Sequence, residues 1–402
     1  MSDFDTGNRG GKLGVPRTVW ALGIVSLFMD LSSEIIHSLL PLFLTATLGL
    51  SVTMVGVIDG IAESTASISK VFSGYISDRM GRRKPLILIG YSLGALSKPF
   101  FPLAGSAAVV LSARFADRIG KGIRGAPRDA LVADVTPVAI RGRAFGLRQS
   151  LDTIGAFAGP LLAIGLMLLF ANDIRAVFWV ATIPAILAVI CVVVGVEDRD
   201  TGTNRQARPP VRIVDLRLLP SAFWGVVAIG VIFTLARFSE AFLILRASEV
   251  GLPLALAPLV LVVMNVVYAV GAYPAGALSD SMRPKTLLLW GLLLLIAADL
   301  ALAFIPSVWG VFVGIGLWGG HMAITQGLMA KLVADHAPDD IRGSAFGLFN
   351  LATGLALLIA SVVAGLLWDQ LGSQATFIAG GIFAGLALVA LAAKTDRSGV
   401  AG

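Results

Sequence analysis

LVADVTPVAIRGRAFGL (Leu131–Leu147) returns as LVADHAPDDIRGSAFGL (Leu332–Leu348), 201 residues later in a chain of 402. A second pair keeps nearly the same offset: GYISDRMGRRKPLIL from Gly74 is matched by GALSDSMRPKTLLL from Gly276. Ser33-Glu34 and Ser239-Glu240 form a weaker third pair. The chain therefore reads as two similar halves, 17–196 and 219–393. Polar tails at 1–16 and 394–402 flank them, and a polar linker, 197–218, joins them. Pro209 and Pro210 interrupt any helix through that linker.

Each half is far too apolar for water. Hydrophobic residues make up 56% of the chain and charged residues 14%, and mean hydropathy is +0.87. A soluble domain has about 25% charged residues. A membrane helix needs about 20 apolar residues. Such stretches, broken by Gly, Pro or charge clusters, fall at 17–44, 51–76, 84–104, 106–128, 140–170, 176–196, 219–247, 253–279, 284–305, 307–334, 341–369 and 373–393. The expected fold is an all-α membrane protein with twelve transmembrane helices in two pseudo-symmetric six-helix bundles. No cleavable signal peptide is read at the start, because the first apolar run is too long for one.

Orientation follows from the loops. Arg79, Arg82, Arg83 and Lys84 follow the second span, and Arg141, Arg143 and Arg148 the fourth. The linker holds Arg199, Arg205, Arg208, Arg212 and Arg217, and later loops on the same side hold Arg283, Lys285 and Arg342. The opposite loops 45–53 and 101–108 contain no Lys or Arg. The positive-inside rule then places both termini in the cytoplasm and the chain in the inner membrane. The net charge of +6 belongs to these loops and implies no nucleic acid.

An ionised side chain at mid-bilayer costs at least about 2.5–3.5 kcal/mol on insertion scales, so it is seldom idle. The first half holds many. Asp30 and Glu34 lie one turn apart in span one, as do Asp59 and Glu63 in span two, with Lys70 on the same side. Arg114, Asp117, Arg118, Lys121, Arg124 and Arg128 fall on one stripe of span four about 120° wide. That stripe must face other helices or a water-filled path. Asp152 adds an acid in span five. Counted from the outer loops, Asp59 and Arg114 lie at one depth and Glu63 and Arg118 at another, so carboxylate–arginine pairs are feasible. The bland alternative is a static salt-bridge network.

The second half is less charged: Arg237 and Glu240 in span seven, His321 in span ten. The uneven division suggests that one half handles ion coupling and the other shapes a pocket. His321 is either a ligand or a hydrogen-bonded packing residue.

The loop Gly74, Asp78, Arg79, Gly81, Arg82, Arg83 resembles the G-x-x-x-D-R-x-G-R-R motif of the major facilitator superfamily. Gly276, Asp280, Arg283 and Lys285 resemble a degenerate second copy, without the middle Arg and Gly. Arg114 matches the first arginine of that family's span-four motif, although Arg118 stands where many drug exporters have glycine. Gly155, Gly159 and Pro160 resemble the span-five antiporter motif, whose trailing Gly pair is here Ala163 and Ile164. The resemblance covers nearly the whole chain. It implies alternating access about a site between the halves. It also implies a cytoplasmic gate at Asp78, Arg82 and Arg83, and a central path lined by span one. On that basis Asp30 and Glu34 are the preferred proton carriers and Arg118 their preferred partner.

The function expected is a secondary active transporter, with proton-coupled efflux of a small organic compound, acting as a monomer in lipid. An importer of an anionic solute is the alternative, motivated by the basic stripe of span four. A non-transporting receptor or scaffold is the alternative of another class. An enzyme is not expected. GYSLG (Gly90–Gly94) fits a hydrolase elbow, but it lies in an apolar helix. GIGLWG (Gly314–Gly319) lacks the strand that a dinucleotide site requires. With one cysteine, Cys191, and with His37, His321 and His336 scattered, no metal-binding spacing and no cofactor is expected.

Overall fold

The computed structural model describes residues 14–80, 82–198, 219–338 and 342–393. Gly81, the linker from 199 to 218 with its five arginines and two prolines, residues 1–13 and the tail 394–402 lie outside the described residues. So do the side chains of Asp78, Asp280 and Arg342.

Every regular element among the described residues is helical. The first half contains α1 (Arg17–His37), α2 (Val52–Met80), α3 (Lys84–Ser97), α4 (Ala107–Val135), α5 (Arg141–Leu169) and α6 (Ile174–Gly195). The second contains α7 (Ser221–Ala236), α8 (Ala241–Glu249), α9 (Leu259–Ser281), α10 (Pro284–Phe304), α11 (Val308–His336), α12 (Arg342–Leu371) and α13 (Ser373–Ala393). Local chemistry sets several ends. Pro sits in the first turn of α3 and α10, where a missing N–H costs nothing. Asp173 caps α6 by accepting from the Arg175 and Ala176 amides at 2.9 and 3.2 Å, and Ser307 caps α11 through the Gly310 amide. Gly372, at φ 89°, turns α12 into α13.

Among the described residues ten stretches are long and apolar enough to cross a membrane, so this is a multi-pass membrane protein. The twelve-span expectation exceeds that number by α2 and α4. Both are 29 residues long, but their polar and ionised side chains hold their hydropathy below the level of the other ten. Several expected spans are also interrupted. The first helix ends at His37 and gives way to the short segments Leu40–Leu42 and Phe43–Thr47. Span three breaks at Lys98-Pro99 before Phe100–Leu103. Span seven is two helices separated by Arg237 to Glu240. The Ser239 hydroxyl accepts from the Ala241 amide at 3.1 Å there, restarting the chain as α8 after a residue in extended conformation, Arg237.

The halves pack alike. In the first, α4 contacts α2 and α3, and α1 contacts α5. In the second, α11 contacts α9 and α10, and α7 contacts α12. Two equivalent seams join them, α2 against α12 and α5 against α9, the former much the closer. Call the end where α2 meets α3 the loop face and the opposite end the far face. One apolar core spans both halves, drawing on Ile36, Phe43 and Ile58 of the first and Phe242, Ile244 and Ala360 of the second. The other core, around Leu22, Tyr91 and Leu131, belongs to the first half alone. The halves thus meet toward the far face and part toward the loop face. Large apolar side chains such as Val194, Val270 and Trp309 stand outward, as lipid contact requires.

Close helix approach depends on particular glycines. A Cβ on Gly120 would stand 2.6 Å from the Gly90 carbonyl oxygen, and one on Gly90 2.7 Å from that of Gly120. The glycines of GYSLG therefore serve α3–α4 packing. Gly314 and Gly319 of GIGLWG likewise lie against Leu302 and Met264. Gly120→Val is expected to destabilise the protein by about 1–3 kcal/mol through overpacking, read as a lower unfolding midpoint in detergent. Gly165→Val, where a Cβ meets open space, is expected to leave that midpoint within a degree or two of wild type.

Candidate functional site

The charged stripe of α4 is turned into its own half, and low dielectric dictates what surrounds it. Arg114 Nη2 donates to Asp59 at 2.9 Å, with both side chains buried. Lys98, at the break in span three, donates to Asp117 at 2.8 Å and to Ser33 at 3.0 Å. Arg118 meets Glu63 at 3.2 Å and Asp117 at 3.8 Å. Glu63 stays 35% exposed, so this pair has one side open to water. Nearer the loop face, Arg128 lies 3.4 Å from Asp152 and donates to Ser26 at 2.9 Å, while Arg148 lies 3.6 Å from Asp152. Arg124 stacks over the Tyr91 ring at 4.7 Å.

Between the halves lies a cavity of about 200 Å³. The first half lines it with Glu34, His37, Asp59, Glu63, Arg118 and Lys121, the second with the peptide segment Arg237 to Glu240 and with Leu357 and Ser361. The break in span seven is what brings four consecutive residues to this wall; irregular backbone is tolerated at membrane depth where it borders such a space. Glu34 is 3.5 Å from His37. The Ser239 hydroxyl donates to the Asp59 carboxylate and the Ser239 amide to the Ser361 hydroxyl at 3.2 Å, so Asp59 binds both halves. A second cavity of about 260 Å³ continues toward the loop face and shares Glu63, Arg237 and Leu357 with the first. Its surface is more apolar, with Phe233, Met329 and Phe349. His321 borders it, its Nδ1 2.8 Å from the Gly291 carbonyl oxygen and its ring stacked on Phe233.

On the far side of these cavities the halves are sealed. Asp369 of α12 accepts from the Val52 and Thr53 amides at 3.0 and 2.8 Å and from the Thr53 hydroxyl, capping α2 from the other half. Gly56, Gly60 and Gly365 allow α2 and α12 to touch: a Cβ on each would clash with Ser361, Leu358 or Thr53. Ser64 donates to the Gly354 carbonyl at 2.7 Å.

Of the residues singled out in the sequence, Glu34, Asp59, Glu63, Arg118, Arg237 and Glu240 line one cavity. Asp30 is elsewhere: it meets Asp152 side chain to side chain, with Lys121 and Arg124 in its surroundings. Arg118 faces Glu63 and Asp117 in preference to Asp30. Gly155 and Gly159 carry α5 against Leu27 and Glu34 of α1, and Pro160 is buried in that helix. In the loop motif, Gly74 faces Ala126, and Arg79 donates to the Tyr75 hydroxyl at 3.1 Å. Arg82 is exposed. Arg83 is 3.2 Å from Asp134 and donates to Ser77 at 2.8 Å. In the second copy Gly276 meets open space, Arg283 is exposed, and Lys285 donates to the Ala392 carbonyl at 3.2 Å.

The sequence reading missed four polar groups. Lys98 and Asp299 were legible as lone charges within apolar runs. Asp299 is fully buried against Gly380, and neither of its oxygens has a hydrogen bond among the described residues. Ser239 was marked only as part of the weak Ser-Glu repeat and Asp369 gave no signal, because only the meeting of the halves gives them partners. For the Arg114–Asp59 pair, removing one member strands a buried charge at about 3–5 kcal/mol. Arg114→Met should therefore lower the unfolding midpoint sharply, and adding Asp59→Asn should recover part of the loss.

The model of the Major Facilitator Superfamily matches this chain over residues 22–264 and 238–400. An uncharacterized MFS-type transporter of Methanocaldococcus jannaschii is 32% identical over 380 residues, 92% of each chain. Multidrug resistance protein MdtH of Photorhabdus laumondii is 30% identical over 165 residues, 41% of this chain and 40% of that protein. The crystal structure of the nucleoside transporter NupG superposes with a TM-score of 0.77 over 94% of this chain and 99% of that one, at 13% identity, and so shares the fold. On the family match and the full-length relative together, this chain belongs to the major facilitator superfamily of membrane transporters.

Proposed function

We propose that the chain is a secondary active transporter with twelve membrane spans, both termini cytoplasmic, that works by alternating access in the inner membrane and exports a small organic compound in exchange for protons. One observation carries this reading: the cavity between the halves is lined by ionisable side chains from both, and it lies on the loop side of a seal that includes polar contacts between the halves. Such a site is exposed to one face at a time if the halves rock about it.

The loop face carries Arg79, Arg82, Arg83, Lys84, Arg141 and Arg143, which supports its assignment to the cytoplasm. The conformation is then inward-facing. Proton coupling is supported by Glu34 in the cavity and by the nearness of Asp30 to Asp152, because carboxyl groups can take up and release a proton. Rocking that separates or re-pairs these groups would change their charge. Export is supported by the partial similarity to a multidrug resistance protein. Import of an anion is disfavoured, since Arg114, Arg118 and Arg128, three of the five cations of α4, already pair with carboxylates.

In proteoliposomes with an imposed pH gradient, a compound panel is expected to include at least one solute that moves. Asp30→Asn or Glu34→Gln is expected to abolish that movement with the unfolding midpoint unchanged. Gradient-driven transport at the wild-type rate in both variants would remove these two residues from coupling. A helix cap contributes about 1 kcal/mol, about fivefold in a population ratio. Asp369→Ala should therefore shift the protein toward the outward-facing state. A membrane-impermeant maleimide applied from the far face should label Leu357→Cys, in a Cys191→Ser background, several-fold faster once the cap is gone.

A further inference from the structure

We propose that the transported solute is a zwitterion with an apolar tail, its two charges held between Lys121 of α4 and the Arg237–Glu240 segment. This inference rests on the transport reading above and names the chemistry of its substrate.

Three side chains on the cavity wall stand apart from the network. Lys121, Arg237 and Glu240 line the cavity, yet none makes a side-chain hydrogen bond or a close ion pair among the described residues. Their neighbours are at longer range: Lys121 near Glu34 and Glu63, Arg237 near Glu240. By contrast Arg114, Lys98 and Arg118 are each paired with a carboxylate at 2.8–3.2 Å. Two cations and one anion are therefore left to bind something that enters. Lys121 comes from the first half and the other two from the second, so a solute that engages all three ties the halves together. That is the requirement for a substrate that drives closure.

The charge balance decides the class. Glu34, Asp59, Glu63 and Glu240 are offset by Arg118, Lys121 and Arg237 with Arg114 behind Asp59. A net cation or net anion would upset this balance in a medium that screens it poorly. A zwitterion adds no net charge. Its carboxylate accepts from the Lys121 ammonium and the Arg237 guanidinium, and its ammonium donates to Glu240, with Glu34 on the facing wall. Charge-assisted hydrogen bonds of this kind are the strong ones.

The tail follows from the second cavity, which opens from the first past Glu63, Arg237 and Leu357 and presents Phe233, Met329 and Phe349. The two spaces, about 200 and about 260 Å³, together reach the size of an ordinary ligand pocket. An α-amino acid or dipeptide with an aromatic or branched side chain meets both requirements.

The test uses the purified full chain in detergent and in proteoliposomes, with phenylalanine, leucine and glycyl-phenylalanine as probes. Each is paired with its C-terminal amide (a cation) and its N-acetyl form (an anion). At least one zwitterion is expected to raise the unfolding midpoint and to show counterflow, with both of its charge-edited forms at least tenfold weaker. Lys121→Gln and Glu240→Gln should each weaken that zwitterion at least tenfold while leaving the ligand-free midpoint unchanged. The proposal is overturned if no zwitterion binds, or if an amide or acetyl form binds as well as its parent. In that case movement of any other compound under a pH gradient would leave the transport reading standing, whereas no movement of any compound would remove both.

Discussion

The structure depends on neutralising ions that its fourth helix carries into a medium of low dielectric. Arg114, Asp117 and Arg118 are buried, and each is answered by a group from α2 or from the break in span three. Unpaired, any one of them would cost several kcal/mol. Paired, they fix the register of α2, α3 and α4 far more strictly than apolar contact alone, which has many near-equivalent packings. Gly90 and Gly120 then allow α3 and α4 to approach closely enough for the short side chain of Asp117 to reach Lys98, and Gly122 lets α4 lie against Ser69 of α2.

Asp59 extends that constraint across the molecule. It holds Arg114 within its own half and receives the Ser239 hydroxyl from the other. The interior ion network of one half and the seam between the halves therefore share a carboxylate, and whatever alters the charge around Asp59 acts on the seam. Beside the apolar core that the halves share, the polar part of the seam is otherwise made of weak parts: a helix cap from Asp369, a serine-to-carbonyl bond and a few glycine contacts. Each is worth about 1 kcal/mol or so. A seal of small increments suits a protein that must open it repeatedly.

The halves are alike in packing and unlike in chemistry. The first is rigid with salt bridges; the second presents a broken helix and the aromatic group Phe238, Trp318 and Phe377, whose rings stand 5.4–5.5 Å apart around Phe238. At their junction charges that are paired and charges that are not lie side by side. Arg118 and Lys121 are one turn apart on α4, yet Arg118 is bound by Glu63 and Lys121 is left to the cavity. That difference between neighbours separates scaffold from site.

The sequence by itself determined that this chain spans a membrane as two repeats, because hydropathy and the recurrence at Leu131 and Leu332 are properties of local order along the chain. It also determined that the ionic face of α4 must avoid lipid and that Asp59 and Arg114 stand at one depth, since helical rise converts residue number into height. The tertiary structure alone decided which charges are spent on one another and which remain free. Asp30 and Glu34 share a helix face, yet one meets Asp152 and the other enters the cavity. The break at Arg237 to Glu240, the cap from Asp369 and Asp299, without a hydrogen bond among the described residues, were likewise invisible or unremarked in the sequence. Each is defined by a neighbour more than 50 residues away, or by the lack of one, and no local pattern encodes that.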